Sequence, residues 1–208
     1  MRPETSTIIV ATKNRGKAKE FAAMFAPLGI EVQTLADYPE LPDIVEDGDT
    51  FAANALIKAR AVVDRYGIPA LADDSGLCVD ALGGAPGVYS ARYAGEPSDD
   101  SANNAKLIAE LRRLGSQAGT DGQQPLLSAA RFVCALAYVE PGGRVLQAEG
   151  ACEGYIVADA RGLHGFGYDP HFYLPDFGAT LAELAPEDKN RISHRAKALR
   201  QLISFWEE

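Results

Sequence analysis

No stretch of this 208-residue chain stays apolar long enough to span a bilayer. Its first residues, MRPETSTIIVATKN, lack the apolar middle and cleavage region of a secretory leader. A soluble, cytoplasmic protein with no membrane partner is the expectation. Cysteine is scarce: Cys78, Cys134 and Cys152 stand in apolar or strand-like surroundings without paired metal spacing, so buried thiols are expected rather than disulfides or ligands. His164, His171 and His194 are scattered and form no zinc motif. Positive charge is in deficit as well. The 20 Lys and Arg against 29 Asp and Glu leave a net charge of −9, which argues against a stable nucleic-acid partner. Also missing are the phosphate loop GxxxxGK[ST] and any serine in a nucleophile-elbow context, so neither a nucleotide motor nor a hydrolase triad is supported.

An apolar content of 47% is enough for a full core, and no repeat or linker divides residues 1–208, which are read as a single domain of two closely joined lobes. Thr7–Thr12 reads as a buried strand leading through Lys13-Asn14-Arg15-Gly16-Lys17 into a helix, and Ile30–Leu35 as a second strand. Tyr38–Asp49 is a proline- and acid-rich connector. Phe51, Ala55, Ala59, Val62 and Tyr66 recur at helical spacing up to Gly67, with Asn54 and Lys58 on the polar face. Two short strands, Ala70–Asp73 and Leu77–Ala81, a helix over 100–114, a variable loop at Ser116–Pro125, and a hairpin of Arg131–Glu140 with Arg144–Ile156 follow. Ile192, Ala196, Leu199, Ile203 and Trp206 mark the apolar side of a last helix. Helices alternating with apolar strands, then a hairpin, predict an α/β fold: a mixed β-sheet core with flanking helices and a central cleft between sheet-based lobes.

The most informative stretch is Ala72-Asp73-Asp74-Ser75-Gly76, in which two carboxylates end one apolar run and open another. Folding carries both toward the edge of a sheet, where neighbouring negative charges require a cation. On extended backbone Asp73 and Asp74 point to opposite sides; a bend at Ser75-Gly76 would bring both to one ion; an Asx turn is the plain alternative. Glu46, in the acidic run Glu46-Asp47-Gly48-Asp49, is free to share a metal with Asp73 or Asp74, and such an oxygen set suits magnesium. Asp49 is placed to cap the following helix.

Nine of the Lys and Arg residues cluster at Lys13–Lys19 and Lys189–Arg200. They read either as solvated helix faces or as two basic foci for a compact anion such as a phosphorylated metabolite. At Thr12–Lys17 free backbone N–H groups at a helix start and the Lys17 ammonium can hold phosphate, while a basic helix cap is the simpler reading. Gly165-Phe166-Gly167-Tyr168-Asp169-Pro170 offers Phe166 for stacking on a base, or else a turn packed by two core aromatics. Lys189 can bind phosphate, and His194 with Arg195 offers directional donors to phosphate or a base carbonyl.

Together, Thr12–Lys17, Asp49–Ala59, Ala72–Leu77 continuing to Gly83–Tyr93, Gly165–Pro170 and Ser193–Arg195 resemble the inosine/xanthosine triphosphate pyrophosphatase family, especially its bacterial members, from about residue 7 to 203. The resemblance implies an elongated α/β fold with a central nucleotide-binding cleft, a homodimer, and magnesium-dependent cleavage of ITP, dITP and XTP to monophosphate and pyrophosphate. It assigns the catalytic base to Asp74 and metal binding to Glu46 and Asp74. Phosphate contacts fall to Thr12, Lys13, Asn14, Arg15, Gly16, Lys17 and Lys189. Substrate contacts fall to Ser75, Phe166, Gly167, Tyr168, Asp169, His194 and Arg195, with Asp73, Asn54 and Lys58 in support. The chain departs from the pattern at Ala53, where many bacterial members carry Glu before the matched Asn54. A phosphohydrolase releasing orthophosphate and a nucleotide sensor without turnover remain alternatives.

Overall fold

A computed structural model describes residues 7–38 and 40–207; the leader-peptide expectation falls partly on residues 1–6, and the connector includes Pro39, outside that range. β1 (Thr7–Val10), α1 (Arg15–Phe25) and β2 (Glu31–Thr34) open the chain, followed by α2 (Phe51–Tyr66) and β3 (Ala70–Val79). α3 (Asp100–Arg113) precedes β4 (Gly119–Asp121), β5 (Gln124–Leu126), β6 (Ser128–Val139) and β7 (Val145–Ile156). β8 (Phe172–Leu174), β9 (Ala179–Thr180), α4 (Pro186–Ile192) and α5 (His194–Glu207) complete it. One sheet has the order β2-β1-β3-β6-β7-β8-β9, with β1 parallel to both β2 and β3, and with β8 antiparallel to β7 and β9. The mixed α/β class is as expected.

The chain resolves into two compact units: residues 1–74, 134–150 and 194–208 form the first, and residues 75–133 and 151–193 the second. In the first unit both faces of β1 are covered, which is why its sequence is apolar without alternation. Ile8 and Val10 join Leu71, Phe21 and Phe25 of α1, and Leu199, Leu202 and Trp206 of α5. Ile9 and Ala11 join Ala70, Ala72 and the α2 residues Ala55, Ala59 and Val62. Full burial of each large side chain here contributes about 1.5–3 kcal/mol. In the second unit Leu107, Ile108 and Leu111 of α3 pack on Leu77, Val79, Phe132, Ile156 and Phe172.

Three local expectations are corrected. Ala70–Asp73 and Leu77–Ala81 are not separate strands, because β3 runs unbroken through Asp73-Asp74-Ser75-Gly76. Ser116–Pro125 is not merely a loop: β4 and β5 pair around Gly122, whose φ of 57° supplies the left-handed turn residue. Asp49 is not the cap of α2; Thr50 is, its hydroxyl accepting the Ala53 N–H at 3.1 Å. Ala53 therefore occupies the position where a glutamate would answer a Ser or Thr cap in a capping box. The departure noted at Ala53 is thus read as a matter of helix start. Cys134 and Cys152 are buried and Cys78 half-buried, and none of the three is joined in a disulfide. Among the described residues no helix is long and apolar enough to cross a membrane.

Candidate active site

In the first unit, the site begins where β1 gives way to α1. Asn14 caps the helix by accepting the Lys17 N–H at 3.0 Å, while Thr12 Oγ1 accepts the Asn14 N–H at 3.1 Å. These polar side chains shape the turn itself. The first turn of α1 holds no acidic residue, so its exposed N–H groups keep their positive field. Lys13 and Arg15 are exposed, and Lys13 pairs with Asp43 at 2.5 Å. That pair lies in solvent and contributes little to stability. Lys17 reaches inward to Asp73.

β3 separates the two consecutive carboxylates by face, selecting the extended arrangement over a shared bend. Asp73 shares the face of Leu71, which packs with α1 and α5. Its Oδ2 accepts Arg195 Nε at 2.8 Å and the Cys134 thiol at 3.1 Å, while Oδ1 receives Lys17. Arg195 also donates through Nη1 to Glu20. With 1% of its surface exposed, Arg195 pairs with both carboxylates. Burial opposes its charge, and Asp73 and Glu20 more than compensate, raising its pKa. Neighbouring His194, the first residue of α5, is buried too. This end of α5 lies hard against β7. A Cβ on Gly150 would stand 2.3 Å from His194 O and 2.4 Å from Ala198 N, so only glycine permits the approach.

Asp74 shares the opposite face with Ala70 and Ala72, toward α2. Asn54 Nδ2 donates to its Oδ2 at 3.2 Å, and Lys58 Nζ stands 3.4 Å from its Oδ1 and 2.9 Å from Glu46 Oε2. Asn54 and Lys58 lie one helical turn apart, so a single face of α2 supplies both groups. The amide orientation of Asn54 is fixed chemically: Oδ1 accepts the Gly48 N–H at 2.8 Å while Nδ2 meets a carboxylate. A Cβ on Gly48 would lie 2.7 Å from that Oδ1. Glu46 is thereby tied to Asp74 twice, through Lys58 and through the Gly48–Asn54 link. Burial raises the Asp74 pKa above 3.8, and Glu46 adds to the rise, against the opposing pull of Lys58, Lys17 and Asn54. Burial likewise opposes the Lys58 charge, but Asp74 and Glu46 outweigh it and raise its pKa.

Among the described residues no three His, Cys, Asp or Glu side chains form a metal-binding group. Glu46 and Asp74 nevertheless converge on one cation, Lys58 Nζ. Magnesium is commonly held by one or two carboxylates, with waters and phosphate oxygens completing its shell, so this donor pair fits it.

In the second unit, Ser75 is half-buried on β3, and the other expected residues gather at the Phe166–Asp169 loop. Asp169 Oδ2 accepts the Phe166 N–H at 2.9 Å and Lys189 Nζ at 2.6 Å. Lys189 Nζ also lies 4.8 Å from the centre of the Phe166 ring. Lys189 is only 5% exposed, so Asp169 compensates a buried ammonium. Tyr168 turns into the core and donates its hydroxyl to Ser90 O at 2.8 Å. Only Phe166 of the two rings is left half-buried beside the loop backbone. Gly165 is required by space as well as by its φ of +77°, since a Cβ would meet Asp169 Oδ2 at 2.0 Å. Glu20, Gly48 and Cys134 escaped the sequence reading, because nothing local to them marks their partners.

Residues 8–205 match the model of the Ham1 family. The dITP/XTP pyrophosphatase of Geobacillus kaustophilus is 56% identical over 201 residues, covering 97% of this chain and 94% of the relative. The dITP/XTP pyrophosphatase of Desulforamulus reducens is 51% identical, covering 95% and 94% respectively. The structure of a HAM1 protein from Coxiella burnetii superposes with a TM-score of 0.81 at 40% identity, over 97% of this chain and 98% of that one. With the match running through both carboxylates of β3, the Phe166 loop and the start of α5, this chain belongs to the Ham1 family.

Proposed function

We propose that this chain is a nucleoside-triphosphate pyrophosphatase that hydrolyses ITP, dITP and XTP to the monophosphate and pyrophosphate, clearing deaminated purines from the cytoplasmic nucleotide pool. The observation that carries the reading is the Asp74 carboxylate, buried yet held by Asn54 and Lys58 beside Glu46. A base whose pKa burial raises above that of an ordinary aspartate is better matched to proton abstraction near neutral pH.

In this mechanism water attacks the α-phosphorus as Asp74 takes its proton. The new P–O bond forms while the bond to the bridging oxygen breaks, and pyrophosphate leaves with that electron pair. Asn54 and Lys58 fix the Asp74 oxygens. The N–H groups at the start of α1, with Thr12, Asn14 and Gly16 shaping the turn, receive phosphate oxygens, and Lys13, Arg15 and Lys17 neutralise their charge. Asp73 positions Lys17 through their ion pair. Glu46 and Asp74 would hold magnesium, which when bound would supply charge neutralisation to the triphosphate.

In the second unit the Phe166 ring stacks on the purine, and the Gly167–Asp169 backbone reads its polar edge, with Ser75 and Lys189 as further contacts. A 6-carbonyl accepts where the adenine amino group donates, so donors directed at that edge leave ATP mismatched. His194 is a further nucleotide contact, and Arg195 acts by fixing Asp73. The proposed active species is a homodimer, which sedimentation at several concentrations tests.

The decisive assay identifies both products from ITP, XTP, GTP and ATP with and without magnesium. Monophosphate and pyrophosphate in equal amounts, with ITP and XTP preferred, are expected. IDP and orthophosphate would indicate a phosphohydrolase. Tight nucleotide binding without turnover would indicate a sensor.

A further inference from the structure

The Phe166 loop is held from a second side by residues that belong to none of the groups above. Gly167 lies between Phe166 and Tyr168, and both of its backbone polar groups are taken by α3. Its N–H donates to Asp100 Oδ2 at 2.8 Å, and its C=O accepts Asn104 Nδ2 at 2.8 Å. The two side chains sit one helical turn apart on one face of α3. Helix capping does not account for Asp100, because the cap is Asp99, whose Oδ1 accepts the Ala102 N–H at 2.9 Å. Nor is the Asn104 amide ambiguous. Its nitrogen lies near two carbonyl oxygens, Gly167 O and Asp100 O at 2.9 Å, while its Oδ1 makes no hydrogen bond, so the group is used for its NH2.

The preceding residue of α3 holds a neighbouring segment from an adjacent side of the helix. Asn103 Oδ1 accepts the Ala94 N–H at 2.7 Å and Nδ2 donates to Ala91 O at 3.0 Å, fixing the end of the 3-10 turn Gly87–Arg92 and the residues that follow it. That turn contains Ser90, whose carbonyl receives the Tyr168 hydroxyl. α3 thus brackets the loop through Gly167 directly and through Tyr168 indirectly. Asp169 fixes Phe166 from within the loop; Asp100 and Asn104 fix the next peptide from outside it.

We infer that Asp100 and Asn104 are positioning residues that set the pose of the Phe166 ring, and thereby base selectivity, by clamping both backbone groups of Gly167. The role rests on the proposed function, since it presumes that the loop meets a purine. Its chemistry is asymmetric. Position 100 must accept, and position 104 must donate. Asp100→Asn retains an acceptor, whereas Asp100→Ala removes it; Asn104→Asp sets a carboxylate against Gly167 O, whereas Asn104→Ala leaves that carbonyl unmet.

The test measures kcat and KM for ITP and ATP in the four variants, together with hydrogen exchange at the Gly167 amide without nucleotide. Asp100→Ala, Asn104→Ala and Asn104→Asp are expected to raise KM for ITP roughly tenfold and to narrow the ITP-to-ATP preference, with kcat changed less than about threefold. Exchange at Gly167 should accelerate in Asp100→Ala, and Asp100→Asn should behave as the parent. Unchanged Gly167 exchange in Asp100→Ala overturns the clamp, whatever the enzyme's substrate. Accelerated exchange with unchanged KM and selectivity overturns the positioning role, as does equal damage from Asp100→Asn and Asp100→Ala. A parent protein with no preference for ITP would instead fail the proposed function, a result visible before any variant is made.

Discussion

Lys58 Nζ stands 3.4 Å from Asp74 Oδ1, yet the Asp74 carboxyl remains harder to ionise than an ordinary aspartate. Burial outweighs the ammonium, and Glu46 shares that ammonium while adding its own negative charge. The pair is therefore arranged for reactivity at some cost to the folded state.

Replacing Asp74 by Asn should separate these two effects. Turnover of ITP should fall by about 10²–10⁴-fold, the usual contribution of a positioned base. Stability should move the other way. A carboxyl whose pKa rises on folding contributes stability that is complete below its unfolded value, near 3.8, and is lost as pH rises through its folded value. At neutral pH the ionised Asp74 is thus unfavourable. Asp74→Asn should melt above the parent at pH 7, with the gap closing below about pH 4. A variant that melts below the parent at pH 7 would contradict this account.

Glu46 and Lys58 should move the Asp74 titration in opposite directions. Glu46→Gln removes a neighbouring negative charge and should lower the Asp74 pKa, while Lys58→Met removes the compensating cation and should raise it. Carboxyl-carbon NMR titration of the metal-free variants reads this directly. Shifts of the same sign in both would show that Lys58 does not face the two acids as found.

Arg195 should be a stability residue first. Arg195→Ala removes the buried cation shared by Asp73 and Glu20, and loss of one partner of a buried pair typically costs about 3–5 kcal/mol. Arg195→Lys should recover only part, since an ammonium cannot reproduce the fork between two acids. Urea unfolding measures both. A loss under about 1 kcal/mol combined with a raised KM for ITP would return Arg195 to direct substrate contact.

Gly165→Ala should strike nucleotide binding. The new methyl would overlap Asp169 Oδ2, displacing the acceptor of both Phe166 N–H and Lys189. KM for ITP should rise by about tenfold or more, corresponding to at least one lost charge-assisted bond. Kinetics within twofold of the parent would mean that the loop does not depend on Asp169.

Residue type and short-range spacing carry the chemistry on offer and much of its local setting. The apolar run Thr7–Val10, the period of α2 ending at Gly67 and the order of the motifs depend on residues close together in the chain, and these were legible. β3 reads as two strands in the sequence because Asp73-Asp74-Ser75-Gly76 has the composition of a turn. What keeps it extended comes from afar: Lys17 and Arg195 on one face, Asn54 and Lys58 on the other. Strand alternation alone places consecutive residues on opposite faces, whereas which helices cover each face follows from long-range packing. That packing made Asp73 the centre of a buried ion-pair network and left Asp74 beside Glu46. The same holds for Asp100 and Asn104, which look like ordinary polar residues near a helix start until the fold brings Gly167 to them. Side-chain type is written in the chain, whereas the partner that fixes charge, pKa and pose is set by contacts many residues apart.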